Sequence, residues 1–74
     1  MSMFPSREEV EALRARYPVG TRIQLLEMND PYSPVPPDML GTVVHVDDAG
    51  TIHMKWDNGR TLGLIPGEDH FTKV

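Results

Sequence analysis

Two similar turns, Asp48-Ala49-Gly50 and Asp57-Asn58-Gly59, separate three segments of strand-like composition at 40–47, 51–56 and 60–65. Short turns that end in glycine and lie between alternating apolar residues are typical of β-hairpins. The pattern therefore predicts a three-stranded antiparallel meander. Because the whole chain has 74 residues, a meander of this size takes up most of the core that such a chain can build. We expect a small, strongly curved β-domain.

Side-chain parity predicts the register of both hairpins. Side chains alternate between the two faces of a sheet and paired residues share a face, so a slip of one residue would mix apolar with polar positions. Three-residue loops avoid this mixing and give the pairs Asp47–Thr51, Val46–Ile52, His45–His53, Val44–Met54, Thr42–Trp56, Trp56–Arg60, Met54–Leu62 and Ile52–Leu64. The buried face is then predicted to contain Val44, Val46, Ile52, Met54, Leu62 and Leu64. Gly50 and Gly59, which end the loops, are expected to have positive φ angles.

An N-terminal helix is predicted from Arg7 to Arg16. Ser6 is a favourable N-cap, and Glu9 three residues later completes a capping box. Pro18 ends the helix, because the residue before a proline is disfavoured in helical conformation. Three residues at helical spacing form a narrow apolar stripe that should lie against the β-domain: Val10, Leu13 and Tyr17.

The remaining segments complete the predicted architecture. A strand is expected over 21–28, with Ile23 and Leu25 facing inward and Leu26 and Met28 facing outward under the helix stripe. Residues 29–39 contain four of the chain's seven prolines and are predicted to form a stiff loop. Residues 71–74 are long enough for a short closing strand.

Composition limits the classes of partner and compartment. The chain has a net charge of −4, and between Glu27 and Asp69 it has eight acidic residues against two basic ones. Nucleic-acid affinity depends on neutralising phosphates, so this charge disfavours nucleic acid as a partner. The absence of cysteine excludes a disulfide framework. No membrane-spanning run or signal peptide is visible, which predicts a cytoplasmic protein without a membrane partner. A homo-oligomer is an open alternative, because self-association would assist so small a core.

Six short motifs occur between Tyr17 and Phe71: Tyr17-Pro18-Val19-Gly20-Thr21-Arg22, Met28-Asn29-Asp30-Pro31-Tyr32, Gly41-Thr42-Val43-Val44, Val46-Asp47-Asp48-Ala49-Gly50, Trp56-Asp57-Asn58-Gly59 and Leu62-Gly63-Leu64-Ile65-Pro66-Gly67. In combination they resemble the bacterial domain-of-unknown-function family numbered four-three-one-four. The resemblance implies a small protein, often encoded on phage or conjugative elements, and it implies no activity or site residues. Two of the motifs are also similar to those of SH3-like barrels that bind peptides, an analogy at the level of the fold.

The expected fold is therefore mainly β. It is a small five-stranded SH3-like barrel preceded by an N-terminal α-helix. The expected domain organisation is a flexible N-terminus at 1–5, a helix at 6–17 that packs on the barrel, and the barrel at 18–74.

The predicted cross-strand pair of His45 and His53 has Asp47 two residues along the same outer face. These are residue types that bind metals or respond to pH. Two histidines make at most half of a metal site, and neither has a nucleophile or an evident substrate cleft beside it. We therefore predict an ordinary solvent-facing pair, with no metal site, no catalytic residue and no cofactor.

Trp56 has two alternative roles. It can be the largest piece of the core, or it can form an aromatic groove with Tyr32 if the proline-rich loop folds back. Acidic residues would edge such a groove, and the predicted partner-binding residues are accordingly Asp30, Tyr32, Asp47, Trp56 and Asp57. A surface of this composition would bind a basic or proline-containing segment of a protein.

Two functions stay open at this point. The first is a non-enzymatic interaction module that binds a protein or peptide, or that acts as an accessory protein of a phage or conjugative element. The second is a nucleic-acid-associated SH3-like domain of the KOW type, by analogy with barrels that carry a Gly-x-Val signal. The acidic charge favours the first.

Overall fold

The computed structural model describes residues 5–28 and 35–74, which form one helix and one antiparallel sheet. The elements in chain order are α1 (Arg7–Arg16), β1 (Arg22–Glu27), β2 (Leu40–Val46), β3 (Ile52–Trp56) and β4 (His70–Lys73). The sheet has the strand order β3-β2-β1-β4. The predicted mainly β fold with an N-terminal helix is confirmed. The predicted closure is not, since the described residues form four strands in an open sheet instead of five in a barrel.

The segment 60–65, predicted as the last strand of the meander, pairs with β3 only near its two ends. Ile52 and Leu64 exchange backbone hydrogen bonds of 2.9 and 2.8 Å, and the N–H of Trp56 donates to the carbonyl of Arg60 at 2.8 Å. The register predicted at these two points is confirmed. Between them, the indole N–H of Trp56 donates to the carbonyl of Leu62 at 2.7 Å. The indole thus binds the carbonyl that a continuous ladder would pair with Met54, at the point where the pairing with β3 is interrupted.

A β-bulge in β2 overturns the predicted burial of Val44. His45 pairs with His53 as predicted, but the register then shifts, so Val43 pairs with Met54. Val43 is 1% exposed and Val44 is 46% exposed. Farther along β2, Gly41 pairs with Trp56, where the sequence predicted Thr42. The bulge brings a residue without a side chain under the indole, because a Cβ at Gly41 would lie 2.6 Å from a Trp56 ring carbon.

The helix begins and ends as predicted. Ser6 is the N-cap and its Oγ accepts the N–H of Glu9 at 3.2 Å, while Tyr17 is the C-cap. The stripe residues join the core formed by the inward side chains of the sheet, and the ring of Tyr17 meets that of Phe71 edge-on at 5.6 Å. With ten residues, α1 is too short to cross a membrane, and no other helix is found in the described ranges.

The predicted cover of Leu26 by the helix is wrong. β1 has a register shift between Leu25 and Glu27 where it pairs with β4, and Leu26 at this bulge is 47% exposed. The helix packs on the opposite face, together with Ile23 and Leu25. Met28, also predicted to face outward, is partly buried against the core.

Arg14 ties the helix to the end of β2. Its Nε donates to the carbonyl of Val46 at 3.0 Å, and its two terminal nitrogens bind Glu11 at 2.9 Å and Asp48 at 2.8 Å. The start of the helix also touches the turn after β2, because a Cβ at Gly50 would lie 2.7 Å from Cγ of Pro5. The helix is thus attached to the β2–β3 hairpin at two points.

Candidate binding surface

Trp56 belongs to the core. Its side chain lies on the inward face of β3 and only 1% of the residue is exposed. Its one polar atom is already bonded to the Leu62 carbonyl. A ring with no accessible face cannot line a groove, so the structure favours the core role among the two alternatives for this residue.

Asp57 directly follows β3 and is held by Arg22 on β1. Both terminal nitrogens of the guanidinium bind the carboxylate, at 2.8 and 2.7 Å, and one of them also donates to the hydroxyl of Thr42. These hydrogen bonds from Arg22 hold the pKa of Asp57 below its ordinary value. The charge of this carboxylate is therefore matched within the chain, in a fork geometry suited to arginine.

Asp47 organises the turn between β2 and β3. Its Oδ1 accepts the N–H groups of Ala49 and Thr51 at 3.0 and 2.9 Å, and its Oδ2 lies 2.8 Å from Nε2 of His53. The hydrogen bond with His53 and that from Thr51 hold the pKa of Asp47 below its ordinary value. Its contacts are those of a turn-stabilising residue.

The structure does not bring the predicted surface together. Asp47 pairs with Thr51 at one end of β3, whereas Asp57 follows the other end, about 20 Å away at the usual rise per strand residue. Trp56 lies between them but points into the core. Asp30 and Tyr32 lie outside the described residues.

The cross-strand histidine pair is confirmed, with a geometry unsuited to chelation. The rings of His45 and His53 are stacked, with centroids 4.3 Å apart and planes at 9°. The lone pairs of parallel rings lie in parallel planes, so they do not converge on one ion. In residues 5–28 and 35–74 no group of three or more candidate metal-binding side chains is found.

A groove lies between α1 and the segment 65–68, within the described part of the chain. Its volume is about 790 Å³. The lining residues are Pro5, Glu9, Ala12, Leu13, Arg16, Ala49, Thr51, Ile65, Pro66 and Glu68. Six of its ten lining residues are apolar, and one of them, the large aliphatic Ile65, is 47% exposed.

Charged residues of both signs border this groove. Glu9 is in the first turn of α1 and Arg16 in the last, so the two lie at opposite ends of the helix wall. Glu68 adds a second carboxylate from the facing segment. The guanidinium of Arg16 also lies over the ring of Tyr17, 5.6 Å from its centroid. The helix therefore provides a groove wall with an acidic end and a basic end.

The sequence analysis did not predict this groove, although residue spacing in the sequence indicates one of its two walls, the face of α1. Glu9, Ala12 and Arg16 recur at spacings of three and four, which places them on one face of a helix. A small exposed alanine between two charges leaves room beside a helix. The other wall is the segment 65–68, whose path depends on tertiary packing and carries no local signal.

Comparison with known proteins gives one match. Residues 6–74 match the family model described as Domain of unknown function (DUF4314). The chain belongs to this family. The family resemblance drawn from the six motifs is thereby confirmed, and the DUF4314 match extends it to the helix, including Ser6. No curated protein and no solved structure matches the chain significantly.

Proposed function

We propose that this DUF4314 chain is an interaction module that binds a segment of a partner protein in the groove between α1 and 65–68. The observation that carries the proposal is the half-exposed side chain of Ile65 in a concave site whose other lining residues are both apolar and charged. Exposed apolar surface rimmed by charges is typical of protein-binding sites. The walls are preorganised, because Arg14 and Pro5 attach the helix to the hairpin. Preorganised sites lose little entropy on binding.

The charge of the rim suggests the chemistry of the segment. The rim has two carboxylates, those of Glu9 and Glu68, and one guanidinium, that of Arg16. The rim is therefore acidic, as is the whole chain with its net charge of −4. A segment with a large apolar side chain next to lysine or arginine fits this rim. None of the described lining residues is aromatic, so the way SH3 domains hold prolines is not part of the proposal. The likeness to SH3-like barrels is a likeness of fold and does not define the ligand. A role on a mobile element belongs to the same proposal.

Binding of nucleic acid has weaker support. Arg14 and Arg22, two candidates for phosphate contacts, are already paired with Asp48 and Asp57. Their charges are thus matched within the chain and contribute little to counterion release.

A pair of helix variants tests the proposal. Ala12 and Ala15 are both exposed on α1, but only Ala12 lines the groove. Ala12→Arg places a long side chain in the groove, and Ala15→Arg adds the same charge outside it. Because arginine is a good helix former, both variants should fold. Random peptides displayed on phage are selected on the wild-type chain, and the enriched peptides are then measured against both variants.

We expect enriched peptides to combine an aliphatic or aromatic residue with lysine or arginine. Ala12→Arg should weaken their binding by at least about tenfold, whereas Ala15→Arg should leave it within about twofold of wild type. Amide shifts on titration should centre on Thr51 and Ile65. If no peptide is enriched, or if both variants bind equally well, the groove is not the binding site. The proposal would also be overturned if the enriched peptides shifted amide signals outside the groove instead of those of the lining residues.

A further inference from the structure

Among the described residues, one edge of the sheet is partly covered and the other has no backbone partner. β3 and β4 are its outermost strands. The edge of β3 is partly covered by the segment 60–65 through Leu64 and Arg60. On the far side of β4, by contrast, none of the described residues makes a backbone hydrogen bond. This open edge is independent of the groove proposed above.

The register identifies the backbone groups on the open edge. The N–H of Val74 donates to the carbonyl of Arg22 at 3.1 Å, and Thr72 pairs with Gln24. Successive residues of a strand direct their backbone groups to alternate sides. The N–H and carbonyl groups of Phe71 and Lys73 therefore point away from β1. Edge groups that have no backbone partner among the described residues are a template for another strand.

The side chains leave this edge accessible. A lysine on an edge strand often protects it against pairing. Here, however, the ammonium of Lys73 is turned over the ring of Tyr17, 5.3 Å from its centroid. Phe71 packs against the same ring. Both side chains thus lie toward the helix, and neither blocks a strand that approaches in the plane of the sheet.

We propose that the open edge of β4 binds a second copy of this chain, strand against strand and antiparallel. In the proposed register, Phe71 of each copy exchanges two backbone hydrogen bonds with Lys73 of the other, and the two Thr72 residues face each other. The outward backbone groups of Phe71 and Lys73 are then paired, and the Lys73 carbonyl accepts the N–H of Phe71 beside the 3.5 Å hydrogen bond that it accepts from the Thr72 hydroxyl. A register with Phe71 against Phe71 would need the N–H of Asp69, which already donates to Ile65 at 3.0 Å. The first register is therefore the one that the backbone favours.

Charge along this segment favours a second copy as the occupant. Glu68 and Asp69 precede β4, and Lys73 is its last residue. An antiparallel pair places the acidic end of one copy beside Lys73 of the other, whereas a parallel pair would bring like charges together. Facing threonines are also a favourable cross-strand pair. Since a four-residue strand buries less than a standard interface, the dimer should be weak, with a Kd of about 0.1–1 mM.

Amide hydrogen exchange on the intact chain tests the proposal directly. Between about 0.02 and about 2 mM protein, protection of the Phe71 and Lys73 amides should rise about twofold to fivefold, as a Kd of about 0.1–1 mM requires. The Thr72 amide, which faces β1 in a single copy, is the internal control and should change much less. Sedimentation over the same range should show growth from the 8.3 kDa monomer toward twice that mass. Protection that does not depend on concentration would overturn the proposal.

Variants at Lys73 separate edge pairing from other association. Lys73→Pro removes an outward N–H and places a ring on the edge, whereas Lys73→Ala keeps the N–H. Both lose the contact with Tyr17, so Lys73→Ala is the matched control, and Trp56 fluorescence reports whether each variant is folded. The proline variant should dimerise at least about tenfold more weakly than the alanine variant. Equal dimerisation of the two variants would show that the copies meet elsewhere.

Discussion

The indole N–H of Trp56 donates to the backbone carbonyl of Leu62 at 2.7 Å, across the second hairpin of the domain. This bond satisfies the only polar atom of a fully buried side chain. It also uses the acceptor that a continuous strand would need. One side-chain hydrogen bond therefore satisfies the buried indole N–H at the point where the sheet is interrupted.

Replacement of Trp56 by phenylalanine should destabilise the domain strongly. Trp56→Phe keeps an aromatic ring but removes the donor to Leu62 and leaves unfilled volume over Gly41. The free energy of unfolding should fall by about 2–4 kcal/mol, measured by urea denaturation. A loss below about 1 kcal/mol would mean that the core tolerates an unpaired Leu62 carbonyl or that water replaces the indole.

The bulge in β2 predicts opposite outcomes for two adjacent valines. Val43→Ala removes buried methyl groups and should cost about 1–3 kcal/mol. Val44→Ala, at a half-exposed position, should change the free energy of unfolding by less than about 0.7 kcal/mol. The measurement is the free energy of unfolding of both variants, from thermal or urea denaturation under the same conditions. A larger loss of stability in Val44→Ala than in Val43→Ala would contradict the bulge and support the register without it.

Alanine should be tolerated differently by the two turn glycines. Gly50 and Gly59 have φ angles of 82° and 91°, as the sequence predicted. Gly59→Ala meets no atom within 4 Å, so its cost should be the backbone term alone, about 1 kcal/mol. Gly50→Ala also displaces Pro5 and should cost more. Unfolding curves for both variants check the order. Equal losses would mean that the start of the helix moves aside without cost.

Acid should remove part of the stability through Asp47 and Asp57. Their pKa values are held below the ordinary carboxyl value, by His53 and Arg22 respectively. A carboxyl whose folded pKa is depressed contributes stability above its unfolded pKa, near pH ~4, and this contribution is lost as pH falls through the folded pKa. The urea midpoint should therefore fall between about pH 5 and about pH 2.

Asparagine variants assign that acid sensitivity. Asp47→Asn keeps an oxygen for the N–H groups of Ala49 and Thr51 but does not titrate. It should flatten the dependence of the urea midpoint on pH, and Asp57→Asn should do so independently, because the two sites lie at opposite ends of β3. If the slope in both variants equals that of the wild type, other carboxyls cause the acid response.

Features with local signals could be predicted from the sequence. Ser6, Glu9 and Pro18 mark the ends of α1, and the structure has the helix at the predicted residues. Side-chain parity likewise gave the correct pairs at both turns, since each pair lies within a few residues of its loop.

Features that depend on distant packing could not be predicted. The bulge at Val44 places Gly41 beneath Trp56, a residue twelve positions from Val44 and across the hairpin. The binding surface predicted from the sequence combined Asp47 and Asp57 because of their charge and the aromatic residues near them. Charge and composition contain no information on the distance between two side chains. The groove has two walls, one face of α1 and the segment 65–68. Only the helix face can be recognised from the local sequence.

The contact between Pro5 and Gly50 determines where foreign sequence can enter the domain. A longer 48–50 turn would push the helix away from the hairpin and separate Arg14 from Asp48. The other turn, at 57–59, has open space around Gly59. An inserted tag, fluorophore site or fused domain belongs at 58–59, where the chain can be extended without disturbing the attachment of the helix.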